Sequence, residues 1–382
     1  MSTIINEPVM LNSTGMEIVE ALKDIAIAQA GGALAVDDWR HVQAIVRGGQ
    51  GKKHFPIGTQ LKVNHGVYGT RLFDVVAHDY LKNAHDPDAH TMTIMQHDLL
   101  PGVQFDAPEA LYYAETQLAA GTYNFTIGTY DRWVAGTYQF TLTSPVPVGG
   151  QICVEGQYPY QGNITAASVK TYSSRTSTTP IETATIMAGS GGTSLGTCGE
   201  GVLNHTHRIA YGSNNYKESA MRQFLNSSAA AGSVWTPQTK FDRPPSWVTT
   251  LAGYKKGLDQ DFLNVVCKVK LPCAANNIYE APDSTITKNT KYTLNDEFYL
   301  ASRKEVFGTS NDVADDTVVF PFYDGATAAD RIKYQDGSAV YWWLRTPYAG
   351  NAFSVRVVVR DGTLNGNVAS GDICLAPACT IG

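Results

Sequence analysis

An α+β fold, rich in short antiparallel strands and poor in helix, is what this 382-residue sequence predicts. Three observations lead there. Charged residues make up 17% of the chain, below the roughly 25% usual for soluble domains, and Gly, Tyr and uncharged polar residues take their place. Short runs in which apolar and polar residues alternate recur along the chain. Helical periodicity is confined to a few short stretches. With 43% apolar residues the chain can bury a core, and its length suits two or three domains of ~100–200 residues.

The first helix is signalled by Thr14-Gly15-Met16-Glu17, a capping-box pattern in which hydroxyl and carboxylate serve each other's backbone amides. Met16, Val19 and Leu22 then form an apolar stripe that stops at Gly31-Gly32. A second helix begins near Asp37 or Asp38 and presents Trp39, Val42, Ile45 and Val46 on one face. It ends at Gly48-Gly49, with Arg47 where a cation suits the dipole. Two helices this short cannot bury both stripes by themselves. Residues 1–55 are therefore expected to dock on a neighbouring subunit or another protein, with packing inside the chain as the alternative.

Residues 56–113 open the main domain with strands. Leu61 and Val63 pair with Leu72, Phe73, Val75 and Val76 around a turn at Gly66–Gly69, and Met92, Ile94 and Met95 mark a third strand. His85-Asp86-Pro87-Asp88-Ala89-His90 has metal-ligand residue types, but Pro87 marks an ordinary surface turn. Residues 114–200 read as an inserted antiparallel β subdomain. Gly121–Ile127 is echoed by Gly136–Leu142, two aromatic, alternating segments expected to pair in one small sheet. Further strands are expected at 151–154, 166–171 and 182–187, and Gly189–Gly192 reads as a flexible link.

Residues 201–382 resume the main domain. Ala220, Met221, Phe224 and Leu225 face one side of a short helix, and residues 296–302 are strand-like. Tyr341-Trp342-Trp343-Leu344-Arg345-Thr346-Pro347 is too apolar for a surface loop and must enter a core. Arg345 would be the charge held there, needing a carboxylate or carbonyl oxygens. Phe353, Val355, Val357 and Val359 then alternate with Ser354, Arg356 and Val358 before a turn at Asp361-Gly362.

The formal net charge of -6, with no Lys/Arg cluster beyond Lys52-Lys53 and Lys255-Lys256, argues against nucleic acid as a partner. No apolar run of ~18 residues occurs, so no membrane insertion is expected. The N-terminus lacks the pattern of a secretory signal. The six cysteines form no CxxC and read as buried free thiols.

Catalytic patterns are weak. His205 and His207 would share one side of a strand and suit a metal or a general base, but nothing marks a third ligand. The Gly-rich stretch 189–201 contains no lysine for a phosphate loop, and Asp315-Asp316 are adjacent, unsuited to paired-carboxylate chemistry. No catalytic residue, metal or cofactor is expected.

Three motifs together resemble a family of phage and bacterial proteins with a C-type-lectin-like domain, related to retroelement-diversified adhesins. They are Ser219, Arg222, Phe224, Leu225 and Asn226 on the short helix; Phe298, Leu300 and Ser302; and Trp343-Leu344-Arg345-Thr346-Pro347. The run from Trp39 to Gly58 looks like the lead-in of phage-associated members. The similarity spans roughly 37–113 and 200–382. Leu375-Ala376-Pro377 departs from the family's arginine-proline pair, and the insertion is a second departure.

The resemblance implies a non-enzymatic binding scaffold whose core signature is Trp343, Leu344, Arg345 and Pro347. Its presenting surface would include Tyr348, Asn351, Phe353, Ser354, Arg356, Arg360, Asn365 and Asn367. It further implies a virion protein of a phage or prophage, forming a homo-oligomer and meeting a host surface glycan or protein and other virion proteins. A structural role, such as capsid decoration or a fibre component, is the alternative. The insertion would be a second ligand surface or a contact to neighbouring subunits.

Overall fold

A computed structural model describes residues 32–127, 134–156, 167–197, 205–275, 290–309, 317–349 and 351–382. They form a mixed α+β fold of several sheets and a few short helices. The helix expected over residues 14–31 lies outside the described residues. Among the described residues no helix is long and apolar enough to cross a membrane.

The second expected helix is present as Trp39–Ile45, where the Asp38 side chain accepts the Arg40 amide. It does not stop at the glycine pair. It widens into a π turn over Val46–Gln50, which Gly49 permits with φ 74°, and continues as Gly51–His54. Its apolar face is not left for a subunit. Trp39 and Val42 are buried in this chain's own core, and the Trp39 ring lies 4.6 Å from that of Phe262.

The main sheet has six strands in the order Leu34–Ala35, Gln60–His65, Gly69–His78, Met92–Gln96, Ala378–Ile381 and Phe298–Tyr299. The expected hairpin pairs Leu61 with Phe73 and Val63 with Arg71. Every residue of Met92–Gln96 is buried, as befits a central strand. That strand pairs on one side with the hairpin and on the other with the last strand, Met92 facing Ile381. A second sheet runs Leu364–Val368, Ser354–Val358, Trp342–Pro347, Asp372–Leu375 and Leu100–Gln104. One hydrophobic core joins the two sheets with the helix Ala220–Asn226, which Ser219 caps through its hydroxyl.

The expected strand at 296–302 is only partly strand. Phe298–Tyr299 joins the main sheet, and Ser302 instead caps a helix, Arg303–Phe307, in a capping box with Glu305. This helix supplies the partner that Arg345 needs. Arg345 Nη1 and Nη2 donate to Glu305 Oε2 and Oε1 at 2.5 and 2.9 Å, and to the carbonyls of Leu300 and Pro272 at 2.7 and 3.2 Å. Trp343, Leu344, Arg345 and Pro347 are all buried. The Trp343 indole donates to the Val103 carbonyl at 2.9 Å, tying the signature strand to Leu100–Gln104.

Two four-stranded sheets are built from the segment read as an insertion together with Tyr112–Tyr113, which the sequence pattern assigns to the main domain. One runs Pro180–Thr185, Ala167–Tyr172, Gln151–Gly156 and Tyr112–Tyr113; the other runs Met187–Ala188, Gly136–Leu142, Gly121–Ile127 and Thr193–Thr197. The echoed segments are direct partners, Tyr123 facing Phe140 and Phe125 facing Tyr138. Their rings and Ile152, Val154 and Val169 from the other sheet fill a hydrophobic core separate from the main one. The Gly189–Gly192 stretch is not a loose link. The Asn124 amide donates to the carbonyls of Ser190, Gly191 and Gly192, and a Cβ on Gly192 would meet the Thr122 carbonyl at 1.9 Å. These glycines allow close approach of two backbones. The five cysteines among the described residues, Cys153, Cys267, Cys273, Cys374 and Cys379, are buried and free.

Candidate functional site

The hairpin formed by Ser354–Val358 and Leu364–Val368 sits at the rim of the second sheet, where Leu364–Val368 is the edge strand. Its turn forms because Gly362 adopts φ 79° and the Asp361 carboxylate accepts the amide and hydroxyl of Thr363 at 3.0 and 2.7 Å. Those bonds lower the Asp361 pKa. The strands pair Arg356 with Gly366 and Ser354 with Val368, while Val355 faces Asn367 and Val357 faces Asn365. Directly opposed residues point to the same side of a sheet. Arg356 and Ser354 therefore belong to one face, and Asn365 and Asn367 to the other.

On the first face the Arg356 guanidinium lies 4.3 Å from the centre of the Tyr348 ring. The ring lies over Gly366, where a Cβ would stand in ordinary contact 3.5 Å from Tyr348 Cδ2. Both side chains are partly exposed. The supporting loop is fixed from beneath. Asn214 donates its amide to the carbonyls of Asn351 and Ser354 at 2.8 and 3.0 Å, and the Tyr348 amide donates to the Ser354 carbonyl at 2.8 Å. The result is a cation over an aromatic ring on a rigid strand pair.

The eight residues expected to present a single surface are thus divided. Tyr348, Ser354 and Arg356 come together. Arg360, at the turn end of the hairpin, has its guanidinium 5.5 Å from the Tyr341 ring. Asn365 and Asn367 use their side-chain oxygens on the following amides, those of Gly366 and Val368, at 2.8 Å each. Phe353 and Asn351 are corrections, being 3% and 9% exposed. The Phe353 ring packs 5.2 Å from Tyr211, and Asn351 Oδ1 accepts the amides of Phe353 and Ser354, shaping the loop rather than a surface.

The expected histidine pair is also corrected. His205 and His207 begin a helix, His205–Tyr211, so the strand geometry that would have set them side by side does not exist. Asp315 and Asp316 lie outside the described residues. Among the described residues, no group of three or more His, Cys, Asp or Glu could hold a metal ion. In the His85–His90 turn, His90 Nδ1 lies 3.0 Å from Asp79 Oδ1.

Two buried polar clusters carry no local motif in the sequence. In one, Asp74 lies 2.8 Å from His97, and the buried Lys333 ammonium donates to the carbonyls of Gln96 and His97 at 2.8 and 3.0 Å. Burial brings the Lys333 pKa down to about 8. Burial also opposes ionisation of Asp74, but the His97 hydrogen bond and the Lys333 charge outweigh it and leave its pKa lowered. The bond to Asp74 raises that of His97. In the other cluster, Arg208 contacts Glu109 at 2.6 Å and Glu218 at 3.6 Å, where the β sandwich joins the main body. The buried Asp106 accepts the amides of Ser213 and Ala220 at 3.0 and 3.2 Å. Burial, and then the charges of Asp242 and Glu109, raise its pKa well above the usual carboxylate range. Burial likewise outweighs Arg208 and pushes Glu109 up to about 7.

No curated protein and no solved structure matches the chain. Residues 198–382, the stretch that holds the signature strand and the final hairpin, match the model of a family described as a domain of unknown function (DUF6273).

Proposed function

We propose that this chain is a non-enzymatic ligand- or receptor-binding protein of a phage or prophage virion, a C-type-lectin-like module that presents the outer face of its final hairpin to a host surface glycan or protein. The observation that carries the reading is the Arg356–Tyr348 pair, with the guanidinium 4.3 Å from the ring centre on a partly exposed strand face. Arginine brings charge and bidentate hydrogen bonding, tyrosine a rigid amphipathic ring, and both are enriched at recognition hot spots.

Three features support the lectin-like reading. The signature strand Trp342–Pro347 is wholly buried and anchors the hairpin beside it. Ala378–Ile381 returns to pair with the much earlier Met92–Gln96, closing the main sheet through a long-range contact. The hairpin stands at the rim, where Arg356, Arg360 and Asn365 can vary while Val355, Val357 and Val358 stay in the core.

A binding screen of purified protein against glycans and host envelope material tests the proposal. Saturable binding that falls about tenfold or more in Arg356→Ala and Tyr348→Ala is expected. Binding unchanged in both variants would move the site elsewhere. A defined oligomer that buries this face and binds nothing would favour a structural virion role.

A further inference from the structure

We infer that the β sandwich carries a second binding site, a cleft for the uncharged, hydroxyl-rich ring of a saccharide. The cleft lies where the edge strand of one sheet, Tyr112–Tyr113, comes beside the edge strand of the other, Thr193–Thr197, and the turn at Lys240-Phe241 closes it. Its volume is about 210 Å³, room for about seven waters at their liquid share of ~30 Å³ each. This is the scale of a sugar ring rather than a polymer domain.

The walls are held in place independently of any ligand. Leu111 and Ala114, flanking the two tyrosines, donate their amides to the carbonyls of Ile152 and Gly150 at 2.6 and 2.9 Å. The Tyr113 ring is held by the Arg175 guanidinium, 3.9 Å from its centre. On the opposite wall the Asp242 carboxylate accepts the amides of Gln238 and Thr239, and the Thr239 hydroxyl, fixing the turn that carries Lys240 and Phe241. A site built in advance loses less on binding than one that must order itself.

The chemistry of the lining selects the ligand. Elsewhere in the sandwich, Tyr123 and Tyr172 donate their phenol groups to the Ala119 carbonyl and to Glu155, at 2.7 and 2.6 Å. The half-buried Tyr112 and Tyr113 phenols donate to no group among the described residues. Both rings are partly exposed, so their hydroxyls meet water that a ligand hydroxyl can replace. Glu115 and Lys240, also in the lining, form no ion pair among the described residues. One acid and one base leave the cleft with no net charge, which disfavours anionic and cationic ligands alike. The exposed lining is mostly polar, with donors and acceptors on several sides that match the hydroxyls of a pyranose, and Phe241 and Leu195 add only a small apolar part.

Saturation-transfer NMR on the full chain tests this, using neutral methyl glycosides of glucose, galactose and N-acetylglucosamine. Glucuronate, glucosamine and glycine serve as anionic, cationic and zwitterionic probes. At least one neutral glycoside is expected to bind in preference to the charged probes. Its affinity should fall about tenfold in the Tyr112→Phe/Tyr113→Phe double variant, which removes two hydroxyls and keeps the packing. Lys240→Ala, at an exposed position, should weaken it as well. The signal should survive Arg356→Ala, which separates this site from the hairpin. The inference is overturned if no neutral glycoside binds, if only a charged probe does, or if the double-phenylalanine variant binds as tightly as the parent.

Discussion

Replacing Glu305 with alanine removes the carboxylate that balances a guanidinium whose own side chain is 1% exposed. Arg345 would lose two of its hydrogen bonds, those to Oε1 and Oε2, and keep the ones to the Leu300 and Pro272 carbonyls. The Tyr80 hydroxyl, which donates to Glu305 Oε1 at 3.2 Å, would lose its carboxylate partner as well. Breaking a buried pair by deleting one member costs about 3–5 kcal/mol. The same substitution removes half of a capping box, since Glu305 Oε2 also accepts the Ser302 amide at 2.6 Å, worth about 1 kcal/mol. A total near 4–6 kcal/mol is comparable with the whole stability of many domains, about 5–15 kcal/mol. Urea unfolding followed by tryptophan fluorescence reads the effect: with a slope of about 2–3 kcal/mol/M, the midpoint should fall by roughly 1.3–3 M. The double variant Glu305→Leu/Arg345→Met, which removes both charges and keeps apolar volume, should recover at least about 2 kcal/mol of the loss. A loss below about 1 kcal/mol in Glu305→Ala, or a double variant no better than the single one, would refute the view that the uncompensated guanidinium sets the cost.

Further predictions concern titration and backbone conformation. Lys333, with its pKa at about 8 in the fold and near 10.4 in an unfolded chain, binds fewer protons when folded between those values. Its contribution to stability should therefore rise with pH across that window, by about 3 kcal/mol in the limit, and Lys333→Met should flatten the limb in pH-dependent denaturation. Glu109 behaves oppositely. Its folded pKa of about 7 lies above its unfolded value, so its stabilisation is complete below about 4.3 and is lost as pH rises through about 7. Hydrogen exchange around the Arg208 helix should speed up over that range in the parent and lose the dependence in Glu109→Gln. Gly362→Ala places a Cβ 1.7 Å from the Ala328 carbonyl at φ +79°, whereas Gly232→Ala, at φ +86°, meets nothing within 4 Å. The second should cost about 1–2 kcal/mol from the left-handed backbone alone, and the first distinctly more, as thermal melting will show.

Local patterns were the readable part of this fold. Alternation at Leu61, Val63, Phe73 and Val75, the echo of Gly121–Ile127 in Gly136–Leu142, and the apolar face of Ala220–Leu225 each correspond to an element in the structure. The need of Arg345 for a partner was also readable, but its identity was not, because Glu305 lies forty positions away on a helix hidden in a strand-like context. The division of the hairpin residues between two faces depends on pairing register, which the alternation of one strand does not specify for its neighbour. Asn351 looks like a surface loop residue by type, yet its contact with Asn214 buries it, and Phe353 follows the apolar alternation of Val355 and Val357 inward onto Tyr211. The carboxylates around Arg208 come from segments distant in sequence, so their chemistry exists only once the chain is folded.

The placement of Ala378–Ile381 between Met92–Gln96 and Phe298–Tyr299 has a consequence for biosynthesis. A ribosome would expose the early strands long before their neighbour in the sheet had been translated. Until then Met92–Gln96, carrying Met92, Ile94 and Met95, presents an unsatisfied backbone edge, the kind of surface that captures other chains. The β sandwich, with its own core and strands close in sequence, can fold during that wait, whereas the main sheet must close a very long loop at the end. Yield in a heterologous host should then depend on how fast translation finishes after residue 298, more than on the sequence of the exposed hairpin.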